Sequence, residues 1–291
     1  MQIEKFSNYD FNTEEIGFES NINEQEYKYY DVPEENKVTD TDYRQYSLDT
    51  VHPLVGFIKK VKLEEIEQSD YFVLPYNMDD LVKPIVPNGE LTINLNGKTI
   101  VGGQFTESNG EFKEGTTDSF PFMITKGNTL TIEGDGEVKA QNAQYSMAVY
   151  NNGGKVTIKG GKFSNQGDGC DLIYASNGGE IEIYGGEFFA TERSGEVPGT
   201  KNKYSALNLK DKTNSKIIVY GGKFYGFDPA NNVSEGPNTN FVADGYKSFE
   251  IGEENGRTIY EVVKETIDEI EKNEEFEEID EIEEPKESVN E

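Results

Sequence analysis

Along the middle of the chain, apolar and polar residues alternate with a period of two, in short runs closed by Gly-Gly or Asn-Gly. The clearest runs are Val156/Ile158, Ile181/Ile183 and Ile217/Val219. Paired glycines follow each run, and then one large apolar residue: Phe163, Phe188 or Phe224. Alternation bounded by turn residues predicts strand–turn–strand, whereas a helix would need apolar residues at i, i+3 and i+4. The glycines suit a tight turn, which demands positive φ. The pattern also recurs. Phe163 and Phe188 are 25 residues apart, as are Val156 and Ile181. Looser copies end at Ile100 and at Val138, and a later one at Phe224, 36 residues beyond Phe188. A further short strand is expected before each alternating run, at residues 122–124, 148–150, 172–174 and 206–209.

Three short strands per copy, stacked copy on copy, predict an all-β fold: a right-handed single-stranded parallel β-helix of about five rungs with three strands per rung. No rung buries its inward residues alone, so stacking is expected to build columns such as Val138–Phe163–Phe188–Phe224. The outward positions offer an independent check of that register. One column reads Glu137, Lys162, Glu187, Lys223 and another reads Lys155, Glu180, Lys216. With neighbouring strands about 4.8 Å apart, opposite charges would meet down both columns. Each pair contributes only about 0.2–1 kcal/mol, but together they disfavour a slip of one residue or one rung.

The rest of the chain divides around this repeat. Residues 1–53 are acidic and rich in scattered aromatics, with no sustained period. They read as an arm that orders on a partner surface or on its own oligomer; a flexible tail or irregular capping layer is the competing reading. Residues 54–88 are expected to cap the N-terminal end, with Leu54, Phe57, Ile58 and Val61 on a helix face or opening a strand. In the same segment Asp79-Asp80 precede Leu81, Val82 and Lys83 in what reads as a short helix stopped by Pro84. Residues 89–251 are the β-helix. Residues 252–264 supply a C-terminal cap strand, part of a hairpin about Glu-Asn-Gly. Residues 265–291 form an acidic tail, read as a marginal helix or a solvated segment.

Charge sharpens the division. The 291 residues carry a net charge of −29, which argues against nucleic acid or an anionic membrane as a partner. Residues 1–53 hold thirteen acids against four bases and residues 265–284 twelve against one, whereas residues 89–245 hold nineteen against fourteen. The repeat is nearly balanced, and the ends are not. No membrane span is visible, and MQIEKFSNYDFNTEE has neither the basic nor the apolar region of a secretory signal.

The extra length between copies always falls after the strand that carries the large apolar residue. The insertions therefore project from one side, which becomes the candidate recognition face. Its candidate binding residues are Tyr145, Asp168, Asp171, Tyr204, Tyr225 and Asp228, beside Glu192 and Arg193. Tyrosines with acids suit sugar, protein or a cation, and they also read as ordinary loop residues. No catalytic, metal or cofactor site is expected. His52 is the sole histidine and lies outside the repeat, and Cys170 has no His or Cys partner nearby in sequence. Asp168 and Asp171 in NQGDGCD are the sharpest carboxylate pair for glycosidase chemistry, but sequence fixes neither their separation nor their ionisation. Gly134-Asp135-Gly136 reads as a turn, because no ligand-spaced acids follow it.

TINLNGKTI at the start of the repeat, the GGxVxIxGGxF copies, and the ending GGKFYGFDPANNVSEGPNTNFVADGYKSFEIGEENGRTIYEVVK together resemble the parallel β-helix modules of bacteriophage virion proteins. Those include tail spikes, head fibres and related appendages; similar rungs occur in surface proteins of gut bacteria. The resemblance covers roughly residues 85–264. It implies an assembled, externally displayed particle component, a homotrimer or homodimer; with the reading of the residues above, the expectation is a non-enzymatic structural protein of a virion, joined through residues 1–53 to a capsid or other virion protein, whose lateral loops or distal end would touch the host surface, glycan included. A polysaccharide-degrading tail-spike enzyme and a bacterial surface adhesin are the alternatives. The absence of a visible secretion signal suits a protein assembled in host cytoplasm.

Overall fold

A computed structural model describes residues 27–29, 57–59, 61–79, 81–167, 171–192 and 205–265. The chain forms two compact units, Met1–Glu65 and Ile66–Glu291. In the first, strand Tyr27–Tyr29 pairs antiparallel with Phe57–Lys59; the rest of the acidic arm lies outside the described residues, as do the acidic tail beyond residue 265, Asp168 and Tyr204. A five-residue helix, Leu63–Glu67, marks the division along the chain. The described fold is otherwise all strand and turn. Among the described residues no helix is long and apolar enough to cross a membrane.

The second unit contains three parallel sheets, and each repeat contributes a strand to them in the same order. The first sheet stacks Tyr71–Val73, Glu90–Asn94, Thr129–Glu133, Lys155–Ile158, Glu180–Ile183 and Lys216–Val219. The second stacks Lys98–Val101, Gly136–Asn142, Lys162–Gln166, Glu187–Phe189 and Gly222–Tyr225. The third stacks Met123–Thr125, Val149–Asn152, Ile173–Ser176 and Leu207–Leu209.

The registers are those expected from the alternation. Leu91, Leu130, Val156, Ile181 and Ile217 align as one buried column, and Ile93, Ile132, Ile158, Ile183 and Val219 as another. Ile100, Val138, Phe163, Phe188 and Phe224 form a third, fully buried column. Its rings stack face to face, Phe163 on Phe188 at 5.1 Å and Phe188 on Phe224 at 4.6 Å between centroids. The charged columns also align. Lys162 lies 3.8 Å from Glu187, Lys155 3.8 Å from Glu180, and Lys223 3.9 Å from Glu261, which carries the alternation one strand further. These pairs are half-exposed, so they secure register more than stability.

Glycine makes the corner between the first and second sheets possible. Gly186 has φ of 110°, and a Cβ on Gly185 would stand 2.7 Å from the Lys159 carbonyl oxygen of the preceding repeat. One inward position of the third sheet departs from the apolar rule. Asn151 lies between Ile124 and Ala175 and is wholly buried. Its amide donates to the carbonyls of Gly154 (3.1 Å) and Glu180 (2.9 Å) and accepts from Gly154 N–H (2.9 Å). It thereby ties one turn to the first strand of the next repeat, with its polar atoms satisfied.

The N-terminal end differs from expectation. Leu81, Val82 and Lys83 are not helical; the segment from Tyr71 to Ile85 is an abbreviated extra repeat. Tyr71–Val73 joins the first sheet. Met78 donates to the Thr99 carbonyl (2.8 Å) and accepts from Val101 N–H (2.7 Å), and Ile85 donates to the Pro121 carbonyl (2.8 Å) and accepts from Met123 N–H (3.1 Å). A three-residue run ahead of Pro84 is too short to nucleate a helix. Extended chain here satisfies its backbone on the open edges of the first full repeat and buries Leu74, Met78, Leu81 and Ile85. At the other end Arg257–Lys264 pairs antiparallel with Gly222–Tyr225, and Tyr246–Glu254 pairs antiparallel with it in turn.

Phe188 sits at the centre of the stacked column. Phe188→Ala should therefore destabilise the protein by about 3–5 kcal/mol in urea unfolding. A loss below about 1 kcal/mol would contradict its place between Phe163 and Phe224.

Candidate functional site

The insertion between the second and third sheets of the first full repeat folds as a hairpin, Phe105–Ser108 with Glu111–Glu114. Phe105 meets Phe112 edge-on at 5.3 Å and Phe120 edge-on at 4.8 Å. Phe105, Phe120, Met123 and Met147 form a small buried cluster, against which Tyr150 and Tyr174 pack. Tyr150 and Tyr174 are in register on adjacent strands of the third sheet. Their rings, 5.9 Å apart, continue the aromatic surface that begins with Phe120, 5.2 Å from Tyr150.

Beside this surface opens a cleft of about 370 Å³. Phe120, Met147, Tyr150 and Tyr174 give it an apolar floor, and Tyr145, about half-exposed, stands at its rim. Glu107, Asp118 and Asp171 line it with carboxylates, and Lys210 supplies one cation. Asp118 is held rigidly, on a two-strand contact between Phe105 and Tyr145, and its Oδ2 accepts from Glu107 N–H at 2.9 Å. Burial pushes the Asp118 carboxyl above its ordinary range and the Glu107 charge adds to this, against the lowering effect of that backbone bond. Asp171 accepts a hydrogen bond from the Ser205 hydroxyl. Burial, with the charge of Asp171 next in importance, pushes the Tyr174 phenol up to about 12. Nearby, Glu235 is raised by burial and by Asp211 and Asp171, although it accepts from Leu209 N–H at 2.7 Å.

Of the residues expected at a lateral site, Tyr145 and Asp171 line this cleft. Tyr225 does not: it is buried and stacks on Phe189 at 3.9 Å. Asp228 accepts from Ala230 N–H at 3.0 Å and so shapes its own turn. Glu107, Asp118, Phe120, Tyr150, Tyr174 and Lys210 were not singled out from sequence. The available signal was Tyr150 and Tyr174 at equivalent outward positions of consecutive copies. A larger recess, about 560 Å³, runs along the glycine corner. Its charged lining is Asp135 with the pairs Lys162–Glu187 and Lys223–Glu261, so acids and bases are mixed along it, and no aromatic ring lines it. Among the described residues no group of three or more His, Cys, Asp or Glu is arranged to hold a metal ion.

No protein-family model, curated protein or solved structure matches this chain.

Asp118 gives the cleft a pH signature. A carboxyl whose folded-state value is raised stabilises the fold below its ordinary value of 3.8, and that contribution is lost as pH rises through the raised value. Asp118→Asn keeps the acceptor for Glu107 N–H without the buried charge. The variant should therefore have a higher urea midpoint than the parent at neutral pH, with the gain shrinking as pH falls towards the ordinary Asp value. A gain of equal size at every pH would contradict the buried-charge account.

Proposed function

We propose that this chain is a right-handed parallel β-helix serving as a rigid, non-enzymatic component of a bacteriophage virion appendage, and that its lateral cleft binds carbohydrate of the host surface. The winding is supported by the constant order in which the chain visits three parallel sheets, since returns between parallel strands of one sheet are almost always right-handed. The virion setting rests on the resemblance of residues 85–264 to appendage modules, with residues 1–53 as the anchor to a capsid or other virion protein and a homodimer or homotrimer as the assembled form. The observation that carries the recognition role is the cleft itself. A hexose presents one apolar face and a rim of hydroxyls. Tyr150 and Tyr174 offer rings for the face, and Glu107, Asp118, Asp171 and Lys210 offer acceptors and a donor for the hydroxyls.

A second reading, a polysaccharide depolymerase, is favoured by one feature: Asp118 has a raised carboxyl and shares the cleft with Asp171 and Glu107. Two carboxyl groups facing one cleft are the residue types that glycoside hydrolysis uses. Host polysaccharide separates the two. A structural recognition protein should retain the polymer without releasing new reducing ends or unsaturated uronates, and Tyr174→Ala should weaken retention about three- to tenfold, the worth of one aromatic contact. Release of reducing ends that stops in Asp118→Asn would establish the enzyme reading instead. Deleting residues 1–53 should leave the repeat folded but unable to join its parent particle; incorporation of the shortened protein would refute the anchor.

A further inference from the structure

We propose a second carbohydrate site, on the outer face of the first sheet: a short track that takes a neutral, extended oligosaccharide. It is independent of the lateral cleft. Tyrosines that break the repeat define its two ends. At the N-terminal end, Tyr71 belongs to the shortened repeat and is in register with Thr92. Its hydroxyl donates to Glu133 Oε1 at 3.0 Å and accepts from Asn94 Nδ2 at 3.2 Å. Glu133 lies two strands along the sheet, so the Tyr71 ring is drawn down along the face and does not project from it. At the other end, Tyr184 donates to Glu182 at 3.1 Å and stacks on Tyr220, with 4.7 Å between centroids and planes 6° apart. Tyr220 covers Tyr184 from the side away from Tyr71, so the other face of Tyr184 is turned back along the sheet. The two residues stay 54 % and 48 % exposed although both hydroxyls are held. A bare ring already fixed by its hydroxyl loses little freedom when the apolar face of a sugar settles on it.

Between the ends, Thr92, Thr131 and Thr157 align in register at outward positions. Among the described residues no group hydrogen-bonds to their side-chain hydroxyls, and each hydroxyl can both donate and accept. The strand of Tyr71 and the strand leading into Tyr184 are four steps apart in the sheet, about 19 Å at about 4.8 Å per step. That distance suits a chain of a few sugars, not a single one. The charges nearest the track are already engaged. Lys159 stands in the repeat before Tyr184 but reaches the other way, to within 3.8 Å of Glu133; Lys155 lies 3.8 Å from Glu180, and Glu182 holds Tyr184. The face therefore leaves bare rings and hydroxyls unmatched, and an anionic polymer would find the nearest lysines paired. The complementary ligand is uncharged, apolar on its ring faces, hydroxylated along its edges and straight enough to lie on a sheet. An extended β-linked hexose chain has this form.

The test is calorimetric or NMR titration of the full chain with cellotetraose, glucose and tetragalacturonate. Cellotetraose should bind about tenfold more tightly than glucose, which reaches only one ring, and more tightly than tetragalacturonate. Tyr71→Ala and Tyr184→Ala should each weaken cellotetraose about three- to tenfold, the worth of one aromatic contact. Thr131→Val, which keeps the branched shape and removes the hydroxyl, should weaken it too, and Tyr174→Ala in the cleft should leave it unchanged. Cellotetraose binding that ignores both Tyr71→Ala and Tyr184→Ala would overturn the track. Loss of that binding in Tyr174→Ala alone would place the sugar in the cleft, overturning the track and supporting the cleft. Equal or tighter binding of tetragalacturonate would overturn the neutral ligand. Failure of cellotetraose to bind would also overturn the track, whereas retention of host polysaccharide that depends on Tyr174 would still uphold the cleft.

Discussion

Parallel stacking at a spacing of about 4.8 Å makes every residue the neighbour of its own counterpart in the next repeat, and the rest of the structure answers to that constraint. Like meets like favourably where the side chain is apolar, so Phe163, Phe188 and Phe224 stack as parallel rings. Like meets like unfavourably where the side chain is charged, so the outward columns alternate Glu, Lys, Glu, Lys. Asn151 shows a third solution. A lone amide in an inward column is tolerated because its atoms bond to the backbone of its own turn and of the next repeat rather than to another side chain. A Cβ on Gly179 would stand 2.8 Å from that amide, so the glycine of one repeat makes room for the asparagine of the one before.

A stack of parallel strands also has two open ends, each exposing backbone groups that template further pairing. They are closed differently. The N-terminal end is closed by a shortened repeat that spends one strand, one bridge at Met78 and one at Ile85 on the three sheets. The C-terminal end of the second sheet is closed by reversing direction: an antiparallel hairpin cannot continue the repeat. Its outer strand, Tyr246–Glu254, has only one neighbour among the described residues. It carries a bulge between Glu250 and Gly252 and acids at Glu250, Glu253 and Glu254. Bulge and charge are the usual means of discouraging edge-to-edge growth. Phe249 and Ile251, though exposed there, are thus set on an edge unsuited to self-pairing.

How much of this was legible in the sequence follows from what repeats. The strands, the buried columns and the charge alternation were readable because each claim is made several times along the chain, and each copy checks the others. Leu81, Val82 and Lys83 were misread as helical because the extra repeat is degenerate: Phe72, Leu74, Met78 and Ile85 keep its apolar positions, but no Gly-Gly marks its turn and prolines interrupt it. The site was half legible for the same reason. Tyr145 and Asp171 were found by looking at insertions, yet Tyr150 and Tyr174 belong to the scaffold, and Asp118 and Phe120 reach the cleft through a hairpin whose packing depends on residues far away in the sequence. Tyr225 was misjudged because it follows Phe224 at the end of a strand, where Phe189 in the preceding repeat claims it as a stacking partner.

Recognition in such a scaffold must come from whatever breaks the repetition, because a perfectly regular stack presents the same balanced surface at every level. The glycine recess illustrates this: it is the larger hollow, and four of its five charged lining residues form two ion pairs. The hairpin beside the first full repeat breaks the symmetry once. It lays Phe105 over the outer face of the third sheet and brings Glu107 and Asp118 into one cleft with Asp171, Tyr150 and Tyr174. The stack beneath holds that floor fixed, since Tyr150 and Tyr174 cannot move without disturbing the parallel register in which Val149 meets Ile173. A rigid floor set by repetition and a wall set by insertion are separate features of the chain. The wall can therefore change in sequence without disturbing the columns that keep the protein folded.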